Sequence, residues 1–229
     1  MEPVVGPWPV DAQSLRAEQD RLARLSVAPW RPGGAIRSVG ACFVCFPRGT
    51  AGRGAAGDRA WAAAVRMEGG KVAAIEVVRS QVGAAYEPGL LALREGPILE
   101  EAVRLLASMP EVLLVNATGR DHPRRAGLAL HLGARLGIPT IGVTNRPLLA
   151  RGDWPPDVRG AISPLRLDGE VVGYWVRTRP ATRPLVAHAA WRTDPQTAAE
   201  VLLALTGRRR TPQPLRLARR AARMARIGD

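Results

Sequence analysis

The chain has 229 residues, 33 of them Lys or Arg against 20 Asp or Glu, for a formal net charge of +13. A hydrophobic share of 46% excludes a disordered chain, and this length buries a core without disulfide staples. No run approaches the roughly 18–20 apolar residues that a bilayer span needs. Met1-Glu2-Pro3 lacks the basic start and apolar run of a secretory leader. With Cys42 and Cys45 as the only thiols, the expected setting is the cytoplasm, away from membranes. Lys71 is the only lysine. A GC-rich genome yields such an arginine bias without functional cause, but a field this positive also favours an anionic partner, either nucleic acid or a phosphorylated metabolite.

Residues 1–34 carry one helical pattern, with Asp11 as N-cap and Leu15, Leu22 and Leu25 near helical spacing. Residues 35–46 are β-rich, and 60–67 and 72–78 form a hairpin about Gly69-Gly70. The period then changes to 3.6: residues 97–109 present a helix face with Pro97 in the first turn, which leaves Glu95 just before that helix. Residues 111–115 are an apolar run of the kind that is buried on both faces. A helix over 125–136 and a strand over 138–143 follow. A hairpin around Asp168-Gly169, a strand near 186–191 and helices over 197–205 and 214–226 complete the chain. The order predicts an α/β fold with a mixed sheet: three antiparallel strands, then parallel strands between helices. One domain over 1–229 is the simplest organisation, with a packed N-terminal helical segment and a basic helix within 207–229.

Several strings resemble the endonuclease V family in order and spacing. They are Arg94-Glu95-Gly96-Pro97, His122-Pro123-Arg124-Arg125 before Gly127, and Gly137-Ile138-Pro139-Thr140-Ile141-Gly142-Val143. Trp8-Pro9 ahead of a helix, and Arg208-Arg209-Arg210 with Pro212 and Pro214, extend the likeness over the whole chain. The resemblance implies a five-stranded RNase H-like core and a magnesium-dependent endonuclease that cuts DNA or RNA one nucleotide 3′ of an inosine. It also implies that carboxylates on the first and fourth strands and a glutamate between them hold the metal, assisted by a lysine and a late histidine. Magnesium takes hard oxygen ligands, and both the attacking and leaving oxygens need positive charge nearby.

On the matching positions only Glu95 is retained. Cys42 stands for the first-strand aspartate, and no acidic residue lies between Arg37 and Gly57. Asn116 stands for the fourth-strand aspartate, Asn145 for the lysine and Arg219 for the histidine. Cys42 offers magnesium a soft sulfur, although beside arginines its thiolate would be a nucleophile. Asp121, on a loop, is read as solvated and only weakly as a substitute ligand. His122 is a weak base candidate and is read mainly as architecture. Cys42 and Cys45, three apart in a strand, point to opposite faces and cannot share a metal. The strand-separating wedge becomes Ala85-Tyr86-Glu87-Pro88-Gly89, where Tyr86 is placed to stack on a base and Pro88 and Gly89 to shape the turn. Gly119, after Ala117-Thr118, and Arg124 complete the substrate-binding candidates.

Three functions follow. The first is a nucleic-acid-binding pseudonuclease without cofactor. The second is a repurposed scaffold, serving either as a protein-complex subunit or as a metal-independent enzyme on an anionic metabolite. The third is an active magnesium-dependent inosine endonuclease with an atypical site.

Overall fold

A computed structural model describes residues 6–49 and 52–229; the reading of Met1-Glu2-Pro3 lies outside them. Helix α1 is Ala12–Arg24, and Asp11 accepts the Ser14 amide at 2.8 Å in a reciprocal capping box. The meander forms as expected: β1 (Ser38–Cys45), β2 (Arg59–Glu68) and β3 (Lys71–Gln81) pair antiparallel in sequence order. Gly69 and Gly70 take the β2–β3 turn at φ of 54° and 78°, a region that costs glycine little.

Helix α2 (Leu91–Arg104) precedes β4 (Val112–Val115), which pairs parallel with β1; after α3 (Leu128–Leu136), β5 (Thr140–Thr144) pairs parallel with β4. All four β4 residues are buried, as a parallel strand covered on both faces requires. The hairpin of β6 (Ile162–Leu167) and β7 (Glu170–Val176) joins through β8 (Leu185–Ala189), which is antiparallel to β5. The RNase H-like core thus continues into one eight-stranded sheet, ordered β3-β2-β1-β4-β5-β8-β7-β6. Helices α1–α3 pack on one face. Helices α4 (Pro195–Ala204) and α5 (Gln213–Ile227) pack on the other.

Two element readings need correction. Helix α2 starts at Leu91, so Pro97 lies in its interior and Glu95 lies within the helix beyond its first turn. An interior proline costs about 3 kcal/mol. Burial of Ile98, Leu99, Ala102 and Val103 against the core offsets it, at roughly 1.5–3 kcal/mol for each large side chain. Helix α3 starts at Leu128, because Arg125 adopts φ 54° and the segment from His122 to Gly127 is a loop. Strands β1, β4 and β5 point the same way. Chain direction switches sides of the sheet between β1 and β4, and a crevice at such a point is where open α/β sheets bind ligands.

Candidate functional site

Cys42 and Glu95 meet at the β1 side of this crevice. Cys42 pairs with Val115 and has no exposed surface; burial, and secondarily the charge of Glu95, push its thiol well above the ordinary range. This corrects the nucleophile reading, because the side chain is held as a protonated thiol with no arginine drawing it down. Cys45 packs on the other face against Trp61 and Ala222, so the two sulfurs are separated as the strand period requires.

Glu95 is partly buried and borders a cavity of about 300 Å³ shared with Arg53, Tyr86 and Arg94. Arg94 closes the β1–β2 loop over this cavity. It donates to the Ala55 and Ala84 carbonyls, pairs with Asp58 at 2.8 Å and stacks over Phe46. Burial raises the Glu95 carboxyl to about 7, against a smaller opposing pull from Arg94. Stability from this group is present below its ordinary value of 4.5 and is lost as pH rises through about 7. His122, His131 and His188, each lowered to about 4 by burial, act oppositely: their contribution is present above 6.5 and is lost as pH falls through about 4. Comparison with Glu95→Gln isolates the glutamate. The variant is expected to gain about 2–3 kcal/mol relative to the parent between pH 4.5 and pH 8, read by urea unfolding at both. Parallel pH profiles for the two proteins contradict the buried placement of this carboxyl.

On the β4 side, Asn116 is exposed directly after the strand and borders a second cavity of about 190 Å³, with Gln19, Tyr86, Thr118 and Thr144. Tyr86, 40% exposed, borders both cavities. Gly119, in the turn after β4, packs on the end of β8: a Cβ there would run into the Ala189 carbonyl oxygen, so no side chain fits. The wedge is anchored from below. Gly89, at φ 80°, accepts from Gln19 Nε2 and from His122 Nε2, both at 3.0 Å. The Arg124 amide donates to His122 Nδ1, so the proton sits on Nε2; Arg124 also reaches Gln19 Oε1 at 3.4 Å. His122 is therefore used as architecture. Glu87 is paired with Arg16 at 3.3 Å. Pro88 is exposed.

Asp121 is not solvated, which corrects the loop reading. It has no exposed surface and accepts the amides of Leu148, Leu149 and Ala150 at 2.7–2.9 Å. Behind it lies a chain that sequence reasoning missed: His188 Nδ1 is 3.6 Å from Asp121 Oδ2, and His188 Nε2 is 2.8 Å from Thr144 Oγ1, which donates to the Arg146 carbonyl. Asn145 is exposed and accepts from Arg210 Nη1 at 2.9 Å. Arg219 approaches from α5 on the other face, over the Phe43 ring at 5.1 Å. A larger polar depression of about 610 Å³ lies between Arg120, Arg125, Glu170 and Asp194. It is paired within itself: Arg125 meets Asp168 and Glu170, and Asp194 meets Arg31.

This donor set does not fit magnesium. Glu95 is the one carboxylate at the crevice positions, and Cys42 brings a protonated sulfur and Asn116 a neutral amide. Among the described residues no group of three or more His, Cys, Asp or Glu side chains is placed to hold a metal.

A family model described as Endonuclease V matches residues 31–220. An Endonuclease V from Roseiflexus castenholzii is 37% identical over 223 residues, covering 96% of each chain. The crystal structure of Endonuclease V from Streptomyces avermitilis superposes with a TM-score of 0.86 at 32% identity, covering 96% of this chain and 95% of that one. The Ciona intestinalis Endonuclease V, in complex with a DNA containing an inosine followed by a ribo-adenosine, shares the fold: TM-score 0.79 at 19% identity, over 94% of this chain and 98% of that one.

Proposed function

Because the chain belongs to the endonuclease V family, we propose that it binds inosine-containing nucleic acid on the nuclease scaffold and has lost metal-dependent phosphodiester hydrolysis. The supporting observation is the pair Cys42, in the middle of β1, and Asn116, directly after β4, neither of which supplies a carboxylate to stand beside Glu95. A hard dication with one carboxylate ligand is poorly held, and hydrolysis without it lacks both an activated water and charge at the leaving oxygen.

The binding half of the site is less altered. Tyr86 borders both cavities, and Asn116, Ala117 and Thr118 from the turn after β4 line the smaller one. A base leaves its stack at a cost of a few kcal/mol and is then held by stacking and by hydrogen bonds to its edge. Here Tyr86 supplies the ring, while Asn116, Thr118 and Thr144 supply polar groups. The Ciona protein's DNA complex makes inosine the base to test. The net charge of +13 supplies attraction for the backbone, which is sequence-independent and falls with salt.

The test is a labelled single strand with one inosine, scored for binding across a salt titration and for cleavage with magnesium or manganese. Salt-dependent binding without nicking is expected. Manganese-dependent nicking that disappears in Glu95→Gln overturns the loss of hydrolysis, and absence of binding at low salt overturns the reading as a whole. The Asn116→Ala variant is expected to lose part of the preference for inosine over adenosine.

A further inference from the structure

The exposed aromatic Trp154, beside the end of β7, has no part in the site described above. Its ring is 53% exposed, in the segment that leaves β5. Below it, Trp175 packs edge-on at 6.2 Å and 71° and is buried, its indole N–H bonded to the Gly152 carbonyl. Arg177, also buried, lies 5.7 Å from the Trp154 ring and donates to the carbonyls of Pro155, Pro156 and Thr182. The segment around Trp154 is thus pinned, and about half of the residue stays exposed. The guanidinium of exposed Arg183 lies 5.6 Å from the same ring.

A line of arginines starts there. Arg210 donates to the Arg183 and Pro184 carbonyls and to Asn145, which fixes its guanidinium beside the end of β5. Arg210 feels the charges of Arg183 and Arg219, and Arg219 in turn feels that of Arg223, one helical turn further along α5. Arg219 Nε is buried without a hydrogen-bond partner. None of Arg183, Arg210, Arg219 and Arg223 pairs with a carboxylate among the described residues, whereas many other arginines do, Arg177 with Asp157 among them. Four like charges held together without counterions leave a strong positive potential to be neutralised from outside.

Resting on the nucleic-acid reading, we propose that an unpaired strand crosses the carboxyl edge of the sheet. One base stacks on Trp154, and successive phosphates are held by Arg183, Arg210 and Arg219. An aromatic platform beside a basic track suits single strands because every base offers a π-face and every linkage a phosphate. Guanidinium groups bind phosphate oxygens in a planar fork. Along this track they supply the positive charge.

The test measures binding of a labelled single-stranded oligonucleotide, with and without inosine, by fluorescence anisotropy at several salt concentrations. Trp154→Ala is expected to weaken both oligonucleotides about tenfold with an unchanged salt slope, while Trp154→Phe stays within about twofold of the parent. The Arg183→Ala/Arg219→Ala pair is expected to reduce the salt slope by roughly two. If the parent binds and either prediction fails, the strand runs elsewhere: this path is overturned while the proposed function stands. If the parent does not bind, both fall. Self-association that Trp154→Ala abolishes, with oligonucleotide binding intact, assigns the face to a second copy and also overturns the path.

Discussion

The Cys42→Asp/Asn116→Asp double variant is expected to bind Mn²⁺ about a hundredfold more tightly than the parent, an order of magnitude set by the effect of added carboxylate ligands on hard-cation affinity. Both positions lie at one point of the fold, since Cys42 pairs with Val115 and Asn116 follows it. The substitutions place two carboxylates beside Glu95. Without metal they are unfavourable: position 42 has no exposed surface, Glu95 is already raised to about 7 by burial, and like charges disfavour ionisation further. The metal-free variant is therefore expected to be less stable than the parent by about 3–5 kcal/mol, the usual cost of an uncompensated buried charge. Manganese reverses this, because it binds the folded state alone. At a hundredfold excess over Kd the gain is about 2.7 kcal/mol. Thermal melts with and without Mn²⁺, together with titration calorimetry, read both effects. A variant that melts low and is not rescued by manganese places these two residues outside a common site. Cleavage is a poorer readout, because Asn145 and Arg219 remain in place of the lysine and histidine that the family resemblance implies.

Local rules were enough for the features that depend on neighbours in the chain. Asp11 caps α1 because a short acidic side chain reaches the Ser14 amide three residues on. The strand period placed Cys42 and Cys45 on opposite faces. Gly69-Gly70 and the apolar run of β4 were likewise legible. The errors fall where distant chain decides. Pro97 signals a helix start locally, yet packing of the turns on either side of it carries α2 through, which moves Glu95 into the helix beside Cys42. Asp121 looks like a solvated loop residue because the amides that hold it come from Leu148–Ala150, far along the chain. Trp154 carries no sequence signal of exposure; Trp175 and Arg177, from β7 and its end, pin it with about half of the residue exposed. The replaced positions were read from the family strings on either side of them, Arg94-Glu95-Gly96-Pro97 among them.

Asp121→Ala is expected to destabilise the protein by about 4 kcal/mol or more, and Asp121→Asn by about half as much. Asp121 Oδ1 accepts from Leu149 and Ala150, and Oδ2 accepts from Leu148. Alanine leaves all three donors without a partner, and the Ala150 contact is fully buried; each orphaned buried donor costs about 1–3 kcal/mol. Asparagine keeps one oxygen. With that oxygen toward Leu149 and Ala150, its amide replaces Oδ2 and loses the Leu148 bond. It also turns an N–H toward His188 Nδ1, which now lies 3.6 Å from Oδ2 with no hydrogen bond. That new bond recovers part of the loss, because a hydrogen bond made to a buried orphan removes its desolvation penalty. The two variants differ in function as well. Leu148 and Thr144 border the 190 Å³ cavity, so freeing the 148–150 segment loosens the wall against which an extruded base would rest. Asp121→Ala is therefore expected to weaken preference for inosine over adenosine more than total affinity, since Arg210 is anchored on Asn145, Arg183 and Pro184 and not on Asp121 or residues 148–150. Urea unfolding gives the stability order, and paired binding isotherms give the selectivity. Asparagine proving as damaging as alanine means that His188 Nδ1 is not available as an acceptor, and the Thr144–His188–Asp121 chain must then run with the opposite tautomer.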